Sequence, residues 1–269
     1  QKAGQGQSRA VLLGAPAGVG KSRLLQEFEL QAQLAEIPVG VGQCRAEGLA
    51  PLAPIGQALR VLVPRTPAEL LERLGPLLGK LVPALATGPA PTFKDPGAEK
   101  MAVFGALAEW LQTLGHQCSF VLCLEDLHWA DTASLEVLNV IIRSLHQTRG
   151  MVVAAFRSNE LNRLSLAFET VDQGLTSRLE LAPLTDGHLE VLVRLVLPGL
   201  EVPAGFVARL HATTGGNAFF ATECLRMLVE EGALRRVGGR WSVVGNLEER
   251  ALPGSIREAV LARLATLPE

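Results

Sequence analysis

The sequence predicts a doubly wound α/β fold on a parallel sheet, followed by a helical segment. Three observations predict it. Short apolar runs alternate with helical periodicities as far as Leu184. Two of those runs end in chemistry-bearing residues, a Gly-rich turn after Leu13 and acids after Leu124. Beyond Leu184 the pattern turns to helices alone. Strands that alternate with helices pair in parallel, and such sheets bind ligands at the carboxyl ends of their strands.

The first strand is Ala10–Leu13, and Leu24, Leu25, Phe28, Leu30 and Leu34 mark a helix to about Glu36. Ile37–Cys44 reads as a second buried strand. Residues 45–97 form a Pro-rich insert, with short helices around Ile55–Val63 and Ala68–Leu78 and a loop at Thr87–Gly97. A longer helix is expected from about Ala98 to Leu114. Ser119–Leu124 is a central strand, Thr132–His146 a helix, and Met151–Phe156 the next strand; Leu179–Leu181 is a weaker strand signal. Helices follow at Asp186–Leu195, Ala204–Ala212 and Ala218–Glu231. A hairpin with a Gly-Gly turn spans Arg235–Val244, and a last helix spans Ser255–Leu264 behind a Ser N-cap.

With 269 residues, 48% hydrophobic and 19% charged, the chain has an ordinary globular composition and an ample core. Its net charge of −2, with Lys and Arg spread along the chain, argues against a basic nucleic-acid face. Cys44, Cys118, Cys123 and Cys224 fit neither a zinc site nor a disulfide framework, so they read as free thiols in a reducing compartment. No apolar run approaches a membrane span, and there is no signal peptide. The chain lacks an initiator Met and reads as a piece of a longer cytoplasmic protein.

The turn Gly14-Ala15-Pro16-Ala17-Gly18-Val19-Gly20-Lys21-Ser22 suits a polyphosphate. Gly18 and Gly20 let backbone N–H groups point inward, and the helix opening near Lys21 adds its positive dipole end. Lys21 would reach the outer phosphates and the Ser22 hydroxyl would bind Mg²⁺. The second site is Glu125-Asp126-Leu127-His128-Trp129-Ala130-Asp131. Acids at a strand tip are costly unless a cation meets them. One of Glu125 and Asp126 would bind the metal and the other would orient the attacking water. Asp131 reads equally as the cap of the next helix, and His128 as a packed histidine. Arg157 closes a strand where a γ-phosphate sensor would stand, or is a solvated, salt-bridged arginine. Thr213–Phe220 is a helix–helix turn or a nucleotide-facing segment.

Gly14–Leu25, Leu122–Leu135 (LCLEDLHWADTASL), Ala155–Arg157, Leu181–Thr185, Thr214–Phe220, Leu225–Gly232 and Leu252–Leu264 together resemble a known family. They resemble the ATPase module of large bacterial LuxR-type regulators, a branch of the STAND group of AAA-like signalling ATPases. Similar modules accompany some class III adenylyl cyclases and Ser/Thr kinases.

The resemblance implies a P-loop NTPase three-layer sandwich over residues 1–183, a helical lid over 184–232, and the start of a further small domain over 233–269. It implies a slow ATPase switch with ATP/ADP and Mg²⁺ as its ligands. Ala15, Ala17, Gly18, Val19, Gly20, Lys21, Ser22 and Arg23 would hold nucleotide, and Ser22, Glu125 and Asp126 the Mg²⁺. Asp126 and Glu125 would be catalytic, with Arg157 as sensor. Asn217 would lie near the adenine, with Ala218 where the family often has Pro. DNA would be reached only through a domain absent from this chain, with oligomerisation on activation and no membrane. The alternatives are a phosphotransferase acting on a small acceptor, with residues 45–97 as its substrate lid, and an ATPase module attached to an adenylyl cyclase or Ser/Thr kinase.

Overall fold

The computed structural model describes residues 9–47, 50–160, 176–247, 250, 252–258 and 261. It divides into two compact units. One takes the chain up to Pro16 together with Lys21–Glu180; the other takes Ala17–Gly20 and the residues from Leu181 on.

The first unit is an α/β sandwich. In chain order it holds β1 (Arg9–Ala15), α1 (Lys21–Leu34), β2 (Val39–Gln43), α2 (Ala53–Leu59), α3 (Ala68–Leu78), α4 (Pro96–Gln117), β3 (Phe120–Glu125), α5 (Thr132–Ser144), β4 (Gly150–Arg157) and β5 (Thr176–Glu180). The strands pair in parallel in the order β2-β3-β4-β1-β5. Both faces of the sheet are covered, so the central strands are apolar throughout rather than alternating. Phe120, Leu122 and Leu124 face α2, α4 and α5 in a large buried core. Val121 and Cys123, on the other face of β3, are also buried.

The Pro-rich insert is a structural layer of this core. Ile55, Leu59, Leu62, Leu70, Leu74, Leu78, Val82 and Leu85 are all buried in it. Trp110 of α4, fully buried, donates its indole N–H to Thr66 Oγ1 at 2.9 Å. These leucines anchor the segment to the core of the first unit.

Helix limits differ from the sequence expectation where caps decide them. α1 stops at Leu34, before the expected Glu36, because Glu36 takes a left-handed conformation at φ 58°. α4 begins at Pro96 rather than Ala98: the Asp95 carboxylate accepts from the Ala98 N–H at 2.8 Å, and Pro96 supplies the preset φ of a first helical residue. The weak strand signal near Leu179 is β5, whose last residue is Glu180.

The second unit holds α6 (Asp186–Val196), α7 (Phe206–Thr214), α8 (Ala218–Glu230) and the antiparallel pair β6 (Leu234–Val237) and β7 (Arg240–Val243). Leu189, Val193, Leu210, Phe220, Leu225 and Leu234 share its core, with Trp241 and Val243 packed against it. The expected last helix lies mostly outside the described residues. At its start, Ser255 Oγ accepts from the Glu258 N–H at 3.2 Å. Among the described residues no helix is long and apolar enough to cross a membrane.

Candidate functional site

The carboxyl edge of the sheet collects the chemistry. β1 ends at Ala15, paired in register with Arg157 at the end of β4. β3 ends at Glu125, paired with Gln43 of β2. Ala15 is fully buried at the mouth of the loop. Gly18 and Gly20 have φ of 80° and 115°, a region that residues with a Cβ rarely adopt, so both turns of the loop depend on glycine.

α1 opens at Lys21, and its first turn carries no acid, so its free N–H groups and dipole present an unneutralised positive end. Ser22 is exposed in that first turn. Arg23, also exposed, pairs with Glu27 one turn on.

Asp126 follows β3 directly. Its backbone is left-handed, at φ 53° and ψ 41°, a geometry that Asp tolerates better than most side chains. The turn brings its carboxylate to the helix that starts 105 residues earlier: Lys21 Nζ lies 3.3 Å from Asp126 Oδ1. The side chains of the pair are 11% and 27% exposed. The partly buried Lys–Asp pair thus stands where the glycine-turned loop ends and α1 opens, a candidate place for a polyphosphate and its cation.

Glu125 belongs to the opposite side of the same strand tip. Glu29 on α1 is held above the usual carboxylate range, first by its own burial and then by the negative charge of Glu125. One oxygen of Glu29 is buried without a hydrogen-bond partner. Glu29 stands seven residues after Ser22, which places the two on one stripe of α1. Helical periodicity alone does not single out Glu29; its spacing from Ser22 does.

Arg157 pairs with Glu160 at 3.6 Å. Asp131 caps α5: its carboxylate accepts from the Ser134 N–H at 2.8 Å, the Ser134 hydroxyl at 2.7 Å and the Leu52 N–H at 3.4 Å. Burial raises its pKa, but these hydrogen bonds outweigh that and hold it below the usual range. His128 is 1% exposed and lies against Trp129, with ring centroids 5.1 Å apart. Burial pushes its pKa down; Glu160 and Asp126 oppose that, and Arg157 and Lys21 reinforce it.

Within the second unit, Asn217 does two things. Its Oδ1 accepts from the Phe220 N–H at 3.0 Å and so caps α8. Its amide donates to the Ala17 carbonyl at 2.8 Å, and the Phe219 N–H donates to the Gly18 carbonyl at 2.9 Å. Val19 is buried in the same stretch.

The donor set suits Mg²⁺ with a polyphosphate. Among the described residues no three His, Cys, Asp or Glu side chains form a ready-made metal cage. Mg²⁺ does not need one, since it is held by one or two carboxylates, a hydroxyl, water and phosphate oxygens.

Fold and loop together define a P-loop NTPase. The chain belongs to the AAA ATPase domain family, whose profile matches residues 1–153. An uncharacterized protein of Rhizobium meliloti (strain 1021) is 26% identical over 216 residues, which is 72% of this chain and 20% of that protein. The chain therefore spans about a fifth of that relative's length.

Among solved structures, a STAND protein with a tetratricopeptide repeat sensor from Pyrococcus horikoshii matches at a TM-score of 0.51 and 15% identity, covering 83% of this chain and 29% of that one. The Walker-type ATPase of Pyrococcus abyssi matches at 0.49 and 17%, covering 84% and 63%. The Aeropyrum pernix ORC1 protein matches at 0.47 and 18%, covering 96% and 59%.

Proposed function

We propose that this chain is the ATP-binding and ATP-hydrolysing switch module of a cytoplasmic signal-transducing transcription regulator of the LuxR type. DNA would be bound by a domain outside this chain, and self-association would accompany activation. The observation that carries the catalytic part is the Lys21 Nζ–Asp126 Oδ1 pair at 3.3 Å beside the glycine-turned loop. The regulatory part rests on the order of the seven sequence blocks from Gly14 to Leu264.

In this reading the loop N–H groups of Ala15 and of Ala17 to Ser22, with the Lys21 ammonium, bind the phosphates. Arg23 and Asn217 add contacts to the nucleotide, and Arg157 senses the γ-phosphate by exchanging Glu160 for it. The Ser22 hydroxyl and the Glu125 carboxylate would hold Mg²⁺, a reading supported by the charge of Glu125 acting on Glu29, seven residues after Ser22 on α1. The cation neutralises charge on the phosphate oxygens when bound. Asp126, released by Lys21, orients the attacking water. The phosphotransferase alternative draws no support from the insert's helices, whose apolar residues from Ile55 to Leu85 are buried in the core.

Lys21→Ala and Asp126→Asn test the assignment. A charge-assisted contact is worth about 1.5–3 kcal/mol, so calorimetry should show Lys21→Ala weakening Mg-ATP binding tenfold or more. Asp126→Asn should slow phosphate release while binding persists. Equal affinity of Lys21→Ala and the unmodified protein for Mg-ATP would reject the site.

A further inference from the structure

His128 occupies a place that an apolar residue would fill at lower cost. It is 1% exposed, and neither Nδ1 nor Nε2 has a hydrogen-bond partner among the described residues. A neutral imidazole carries one N–H donor and one acceptor, so the fold leaves both unmet. Such orphans are rare, and replacing them with apolar groups of the same shape is close to neutral or stabilising.

The ring is held tightly where it stands. It sits in the 3₁₀ turn Leu127–Trp129, which Asp126 opens from its left-handed conformation. The Trp129 N–H donates to the Asp126 carbonyl at 2.8 Å and the Ala130 N–H to the Leu127 carbonyl at 3.0 Å. Leu127, fully buried, anchors the turn, and the turn packs against β4. The charged groups that act on the ring are Asp126, Lys21, Arg157 and Glu160, drawn from α1, the strand tip and the end of β4.

We propose that His128 is a positioning residue for hydrolysis: its N–H bonds the Asp126 carboxylate once Lys21 has turned from that carboxylate to a phosphate. The inference rests on the reading of this site as an ATPase site. In the structure Asp126 Oδ1 is met by Lys21 Nζ. A carboxylate that loses its cation in a partly buried place needs another donor. The imidazole two residues further on holds one unused. The exchange fixes the rotamer of Asp126, so that the carboxylate that orients water is set only when phosphate is present. It also gives one of the two buried nitrogens a partner and so a reason to be polar.

The test uses the whole chain and four variants. His128→Phe and His128→Leu remove both nitrogens while filling the space. His128→Asn and His128→Gln keep an amide N–H near the level of Nδ1 and of Nε2. Mg-ATP affinity is read by calorimetry, hydrolysis by phosphate release, and stability by melting without nucleotide.

Both apolar variants should keep the Kd for Mg-ATP within about threefold. They should melt no lower than the unmodified protein and lose about 10–100-fold in kcat with little change in KM, as loss of an outer-shell partner does. One amide should restore most of that kcat and so name the nitrogen.

An apolar variant with undiminished kcat overturns the proposal. So does a parallel loss of melting temperature, affinity and kcat, or a kcat defect that neither amide relieves. If the unmodified protein itself fails to bind Mg-ATP in the same calorimetry, the ATPase reading falls and this proposal with it.

Discussion

Asp131 shows how one carboxylate ties two segments together. Its bonds to Ser134 cap α5, and its bond to Leu52 N holds a residue whose φ of 65° is uncommon for a leucine. Only the cap was legible in the sequence, because Asp before Thr-Ala-Ser is a local signal. The partner at Leu52 lies 79 residues away and leaves no local trace.

The hydrogen bonds hold the folded pKa of Asp131 below its unfolded value. Its contribution is therefore present above the unfolded pKa and is lost as pH falls through the folded one. Asp131→Ala should cost about 1–2 kcal/mol at neutral pH. In urea titrations that deficit should shrink once pH drops below about 4. A deficit as large at pH ~3 as at neutrality would mean that the charge on the carboxylate contributes nothing.

At the scale of elements, the packing of α2 on β2 decides why the second strand reads Val-Gly-Val-Gly-Gln. A Cβ on Gly40 would stand 1.8 Å from the Ala58 carbonyl oxygen, and one on Gly42 would stand 2.0 Å from that of Pro54. Both obstacles are backbone, so neither can rotate away. The sequence showed a strand and a short helix here but not that one lies on the other, since glycine marks turns far more often than helix contacts.

Gly40→Ala and Gly42→Ala should each lower stability by at least the roughly 1–3 kcal/mol of overpacking. Gly105→Ala, in α4 with nothing within 4 Å of its Cβ, should raise stability by up to about 1 kcal/mol. Denaturant midpoints of the three variants check the contrast. An unharmed Gly42→Ala would mean that the Pro54 carbonyl of α2 does not press on β2.

At the scale of the whole molecule, ligand linkage is the readout. Mg-ATP at about a hundred times its Kd should add about 2.7 kcal/mol. For units of this size that raises the melting temperature by about 5–10 °C. Lys21→Ala should abolish the shift, and a melting curve indifferent to Mg-ATP would contradict a competent site.

Legible in the residues alone were the alternation of strands and helices, the glycine-turned loop, the acids after β3, and two of the helix caps, at Asp131 and Ser255. Each of these is a pattern within a few residues, and local sterics and periodicity suffice to read it. It took the folded chain to show that β4 stands between β1 and β3, that the insert's leucines are core, that the charge of Glu125 acts on Glu29, and that the His128 nitrogens have no hydrogen-bond partner among the described residues. The reason is that burial and hydrogen-bond satisfaction belong to a neighbourhood assembled from distant parts of the chain, and no single stretch of residues contains that neighbourhood.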